Sequence, residues 1–130
     1  MLIIAAVASM FASPAHAKRW VLVATANGAE HFVDADALIW EGSVATIWVR
    51  TEYSTKREKG AIAVLEKWML DCANTRVKLL ALTTYKTDGS VIASAQAPRY
   101  LRDWSTVTPN SVMETVHRNT CDQSHPVDTI

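Results

Sequence analysis

Cys72, Cys121, His117 and His125 are the residues whose types and spacing could do chemistry in this chain, which holds only two cysteines. Cys72 stands in "MLDCANTRVKL", between an apolar run and turn-forming residues, and Cys121 lies near the far end. Three chemistries compete for them. A disulfide suits an even cysteine count in an exported chain. Closing a loop of about 50 residues would stabilise a small domain by ~4 kcal/mol in the chain-entropy picture. A zinc site could use His117-x3-Cys121-x3-His125, with Cys72 as a fourth ligand. Pro126 disfavours helix at His125, and an oxidising compartment would compete for the thiols. A nucleophilic cysteine needs a neighbouring base and a depressed pKa, and neither cysteine sits in a recognisable setting for that. The disulfide Cys72–Cys121 is the favoured reading.

The remaining polar residues offer little catalytic grammar. No GxSxG, HExxH, Walker, GxGxxG or CxxC pattern occurs, so no cofactor and no metal is assigned. His31 and Asp34 are three apart, which in a strand sends them to opposite faces. Asp34 and Asp36 are too sparse for a calcium loop and suit the capping of a single helical turn. Five tryptophans are many for this length. Trp48 and Trp68 fall in strands and read as core. Trp40 and Trp104 flank turns. Arg99, Tyr100, Arg102 and Trp104 in "RYLRDW" combine the residue types that dominate binding hot spots, although aromatics there could equally plug an open end of a sheet. Lys56, Arg57 and Lys59 form a basic loop, either solvated or able to dock an acidic partner.

Composition narrows the classes further. The 130 residues carry 13 basic and 13 acidic side chains, 49% hydrophobic and 20% charged residues. That suits one globular domain with a modest core, and a cancelled net charge argues against nucleic acid as a partner. "MLIIAAVASMFASPAHA", residues 1–17, has no Asp, Glu, Lys or Arg and ends in a small-x-small triplet before Lys18-Arg19. This matches the apolar region and cleavage site of a secretory signal, and the run is too short to span a bilayer. The expected organisation is a signal peptide at 1–17, a domain at 18–121 and a flexible tail at 122–130. No cysteine follows the cleavage point, so a lipid anchor is not expected, and the location is periplasmic or secreted.

Period-2 patterns dominate the elements that must position these residues. Strands are expected at 19–25, 30–35, 43–53 and 61–72, with turns at Asn27-Gly28 and Glu41-Gly42 and a solvated loop at 54–60. A tight hairpin at 73–76 would set Cys72 opposite Val77, Leu70 opposite Leu79, Trp68 opposite Ala81 and Asp71 opposite Lys78. Asp88-Gly89 marks a further hairpin, with Tyr85 opposite Ile92 on the inner face. Thr108-Pro109 reads as the start of a C-terminal helix, with an apolar stripe of Val112, Met113, Val116 and Thr120.

The order of "FVDADALIW", "VATIWVRTEY", the "DC" strand end, "Y…DGSVI", "W…VTPNSVMETV" and a closing Cys resembles the surface-adhesin protein E family of Gram-negative bacteria, from about Trp20 to Cys121. The resemblance implies a mainly β, α+β fold: a six-stranded antiparallel sheet with a C-terminal helix tethered by the disulfide. It further implies binding of proteins such as vitronectin, laminin and plasminogen. Surface-anchored members carry a lipidated cysteine after the signal, and Lys18 stands there instead. The function expected is an exported, non-enzymatic module binding envelope or extracellular matrix proteins. The alternative is a small exported metal-dependent hydrolase or zinc-binding protein using His117, Cys121 and His125, or His31.

Overall fold

The computed structural model describes residues 19–97 and 103–122. They form β1 (Trp20–Ala26), β2 (Ala29–Asp34), β3 (Ile39–Glu41), β4 (Val44–Tyr53), β5 (Ala61–Asp71), β6 (Arg76–Lys86), β7 (Val91–Gln96), β8 (Ser105–Thr106) and α1 (Val112–Asp122). One antiparallel sheet runs in the order β1-β2-β4-β5-β6-β7, the six strands expected, while β3 adds to β4 and β8 to β6. Tight turns join β1 to β2, β5 to β6 and β6 to β7, while β3 lies on the connection from β2 to β4. The sheet and α1 form two layers around one core.

That core is built from alternate residues of the central strands: Val33, Ala45, Ile47, Val49, Leu70 and Val77, closed by Val107 and Val116. Ala45, Ile47, Leu70 and Val116 have no exposed surface. Val112 and Met113 of α1 pack against the same cluster, as do Trp40 and Trp68. Trp48 does not. It alternates with Ile47 and Val49 and so lies half-buried on the sheet face turned away from α1.

Local chemistry explains where the elements begin and end. Asn27 and Gly28 have φ of 50° and 78°, the left-handed pair that a two-residue hairpin needs, which Asn and Gly adopt at low cost. The helical turn expected at Asp34 and Asp36 is absent. Instead Asp34 Oδ1 accepts the backbone N–H groups of Arg19 and Asp36, each at 3.1 Å, and "LIW" leads directly into β3. Helix α1 starts later than Thr108-Pro109 suggests, because Ser111 is the cap. Its Oγ accepts the Glu114 N–H at 3.1 Å, and Glu114 Oε1 reaches back to the Asn110 N–H at 2.9 Å.

The β5–β6 hairpin forms, but its register is offset by two from the expected one. Asp71 pairs with Arg76, Leu70 with Val77 and Trp68 with Leu79. A shift of two preserves each residue's face, so the apolar pairs survive while the charge pair changes partner. The Asp71 carboxylate sets this register. It accepts the N–H groups of Ala73 and Asn74 at 3.1 and 3.2 Å, the Asn74 side-chain amide at 3.0 Å and Arg76 Nε at 2.9 Å. Register shifts also occur in the β1–β2, β5–β6 and β6–β7 pairs. One of them places Tyr85 opposite Val91 rather than Ile92, and Tyr85 pairs with Ala63, on the face away from Leu70.

Candidate functional site

A covalent bond joins Cys72, just past β5, to Cys121 in the last turn of α1, with the two Cα atoms 5.6 Å apart and the residues 49 positions apart in sequence. This is the favoured sequence reading, and it ties the helix to the end of the sheet. His117 lies one helical turn before Cys121 and is buried. Its Nε2 donates to the Asp71 carbonyl at 3.1 Å, and its ring touches Cys121 Sγ at 3.6–3.7 Å. Ligand atoms of Cys72, His117 and Cys121 gather within 4.8 Å of one another. Yet the two sulfurs are bonded to each other and offer no thiolate, which a zinc site of this kind requires. His125, the further ligand, lies outside the described residues.

His31 and Asp34 are engaged separately, as their spacing implies. His31 Nδ1 lies 2.9 Å from Thr51 Oγ1, and burial lowers the imidazole pKa. A groove of about 410 Å³ between β1 and α1 is lined by Val21, Val23, Val33 and Leu38, with Arg19, Ala35, Asn119 and Thr120. Among the described residues, no histidine, cysteine or carboxylate lines it.

The residues proposed for binding separate into two groups at opposite ends of the sheet. Lys56, Arg57 and Lys59 are exposed on the β4–β5 connection. Arg57 stacks on Tyr53 with its guanidinium carbon 4.5 Å from the ring centre, and the loop adjoins the β1–β2 turn through Ser54 N–H to the Gly28 carbonyl at 2.9 Å. Trp104 precedes β8 near the β5–β6 turn, an 11-residue strand away, roughly 30–35 Å at the usual rise per residue. There the Arg76 guanidinium carbon and the Lys78 Nζ each lie 4.8 Å from the ring centre of Trp104. Arg99, Tyr100 and Arg102 lie outside the described residues.

Lys67 and Glu66 escaped the sequence reading, and Lys78, expected opposite Asp71, pairs with Met69. Lys67 and Lys78 project from β5 and β6, and Lys67 sits over Trp48 at 5.5 Å. The signal was the alternation in "LEKWMLD", which puts Lys67 and Met69 on one face and Glu66, Trp68 and Leu70 on the other. Glu66 therefore points to the helix side. Burial raises its carboxyl pKa, opposed by the bond it accepts from Trp68 Nε1 at 3.1 Å. At the turn, the Asn74 amide and then Arg76 hold the Asp71 carboxyl down at about 2.

A two-layer β-sheet and helix, closed by a disulfide at the end of α1, matches the expectation drawn from the ordered motifs. The surface-adhesin protein E profile matches residues 20–122. The chain belongs to the surface-adhesin protein E family. Its fold is similar to solved structures of Haemophilus influenzae protein E. One, in crystal form II, has a TM-score of 0.57 at 13% identity, covering 83% of this chain and 98% of that one. A second has a TM-score of 0.55 at 13% identity, over 87% and 92%. Protein E from non-typeable H. influenzae gives 0.54 at 13% identity, over 86% and 82%. At these identities the likeness shows a shared fold. No curated protein matches the sequence. No helix among the described residues is long and apolar enough to cross a membrane.

Proposed function

We propose that this adhesin E family member is an exported, non-enzymatic module that binds other proteins, either of the cell envelope or of the extracellular matrix. The observation that carries the reading is Trp104, half-buried between Arg76 and Lys78. A large aromatic ring held in place by two cations offers contact area at little further entropic cost on binding, as interface anchors do. Family membership and a disulfide of the kind formed in oxidising compartments both support an exported binding role. The disulfide, which leaves no thiolate, and the separate engagement of His31 and Asp34 give no support to the hydrolase alternative.

The test is direct. The disulfide-bonded chain, immobilised, is titrated with laminin, vitronectin and plasminogen and with fractionated envelope protein. Saturable binding to at least one, weakened by Trp104→Ala in a variant that melts like the parent, is the expected result. Absence of saturable binding to every one of them overturns the reading.

A further inference from the structure

The sheet face turned away from α1 carries a band of alternating aromatic and cationic side chains. Trp48 on β4 pairs with Lys67 on β5, Met69 pairs with Lys78 on β6, and Asp71 pairs with Arg76. Lys67, Met69 and Asp71 alternate along β5, so these pairs share one face, opposite the core residue Leu70. Trp104 completes the band beside Arg76 and Lys78. All six of Trp48, Lys67, Met69, Lys78, Arg76 and Trp104 are partly exposed.

Charge on this band is not balanced. Arg76 is paired with Asp71, and Arg50 nearby with Glu52. Lys67 and Lys78 enter no ion pair among the described residues and rest over indole rings instead. A chain with no net charge has thus placed two uncompensated cations between two tryptophans and a methionine. Trp, Met and Arg are the types enriched at the centres of protein interfaces, where lysine is depleted unless an opposite charge meets it.

We infer that this face docks an acidic segment of a partner protein, with Lys67 and Lys78 meeting its carboxylates and Trp48, Met69 and Trp104 covering the backbone between them. The inference deepens the binding-module reading by naming a face and a partner chemistry. Complementary charge would speed encounter and make binding salt-dependent. Antiparallel strands about 4.8 Å apart set Trp48 and Lys78 about 10 Å apart across the sheet, a distance an extended peptide spans in about three residues.

Labelled poly-L-glutamate is the probe, titrated against the disulfide-bonded chain at low and physiological salt, with heparin as a competing polyanion. Lys67→Glu with Lys78→Glu is expected to weaken poly-glutamate binding ~10-fold or more, since two attractive contacts become repulsive. Lys86→Glu with Arg118→Glu, exposed at the far end of β6 and on α1, is expected to change it less than ~2-fold. The milder pair K67Q and K78Q carries the same ranking should charge reversal unfold the domain. No binding of poly-glutamate, equal loss in the two pairs, or stronger retention of heparin than of poly-glutamate at matched charge overturns the inference. If laminin, vitronectin, plasminogen or envelope protein still binds in that case, the binding-module reading survives and only the face and chemistry named here are wrong.

Discussion

His117 on α1 donates a hydrogen bond from Nε2 to the backbone carbonyl of Asp71, 3.1 Å away at the end of β5. A carbonyl can only accept, so the proton resides on Nε2. This contact and the adjoining disulfide fasten the helix at one end, while Val116 fills the core one residue earlier. The histidine that spacing offered as a metal ligand is therefore occupied in holding two layers together. Replacing it by Ala would remove a buried hydrogen bond between the two layers and should cost about 0.5–1.5 kcal/mol. His117→Gln, whose amide can still donate, should recover part of that loss. Urea titrations of the three proteins decide it; equal stability of H117A and the parent would remove His117 from the structural account.

Breaking the cross-link alone should loosen α1 and spare the sheet. The helix retains Val116, Val112 and Met113 against the core, and the central strands keep their ladders. For Cys121→Ser, with Cys72→Ser to avoid a lone thiol, global stability should fall by about 2–4 kcal/mol. Amide exchange should quicken most in 112–122. Equal acceleration in β4 and β5 would mean that helix and sheet are one cooperative unit.

Two carboxylates should pull the pH dependence of stability in opposite directions. Asp71 is held at about 2, below its unfolded value near 4. Its contribution is complete above the unfolded pKa and is lost as pH falls through the folded one. Asp71→Asn should therefore flatten the stability curve between about pH 4 and 2. Glu66 has its pKa raised by burial, so its effect has the reverse sign. The parent is favoured while Glu66 is protonated, and that advantage is lost as pH rises through its folded pKa. Glu66→Gln should thus stabilise the protein at neutral pH relative to the parent, with the difference vanishing near pH 3. Thermal melts across pH 2–8 test both, and parallel curves for parent and variants would refute the assignment.

Ser111, not Thr108, should prove to be the helix cap. Ser111→Ala removes the side-chain acceptor of the Glu114 N–H, leaving it the Ser111 carbonyl at 3.1 Å, and should cost about 1 kcal/mol. Thr108→Ala should cost less, because the Thr108 contact with Ser111 uses its backbone carbonyl. Chemical denaturation of the two variants ranks them directly.

The sequence by itself determined the class of the fold. Alternation of apolar and polar residues specifies half-buried strands, and Asn27-Gly28 and Asp88-Gly89 specify turns, since both signals are local and depend on backbone sterics. The cysteine pair and the ordered motifs also pointed to the disulfide and the family. What lay beyond reach was non-local. A two-residue register change leaves every face intact, so hydrophobic pattern cannot distinguish Asp71–Arg76 from Asp71–Lys78; the hydrogen bonds of the 72–75 turn decide it. Register shifts likewise moved Tyr85 to the other face, and strand alternation sent Trp48 away from the core that its size suggested. Tertiary structure alone put the Lys56 loop and Trp104 at opposite ends and gathered Lys67, Lys78 and two tryptophans on one face. Such neighbourhoods arise from which strands lie side by side, and local propensity carries no information about that.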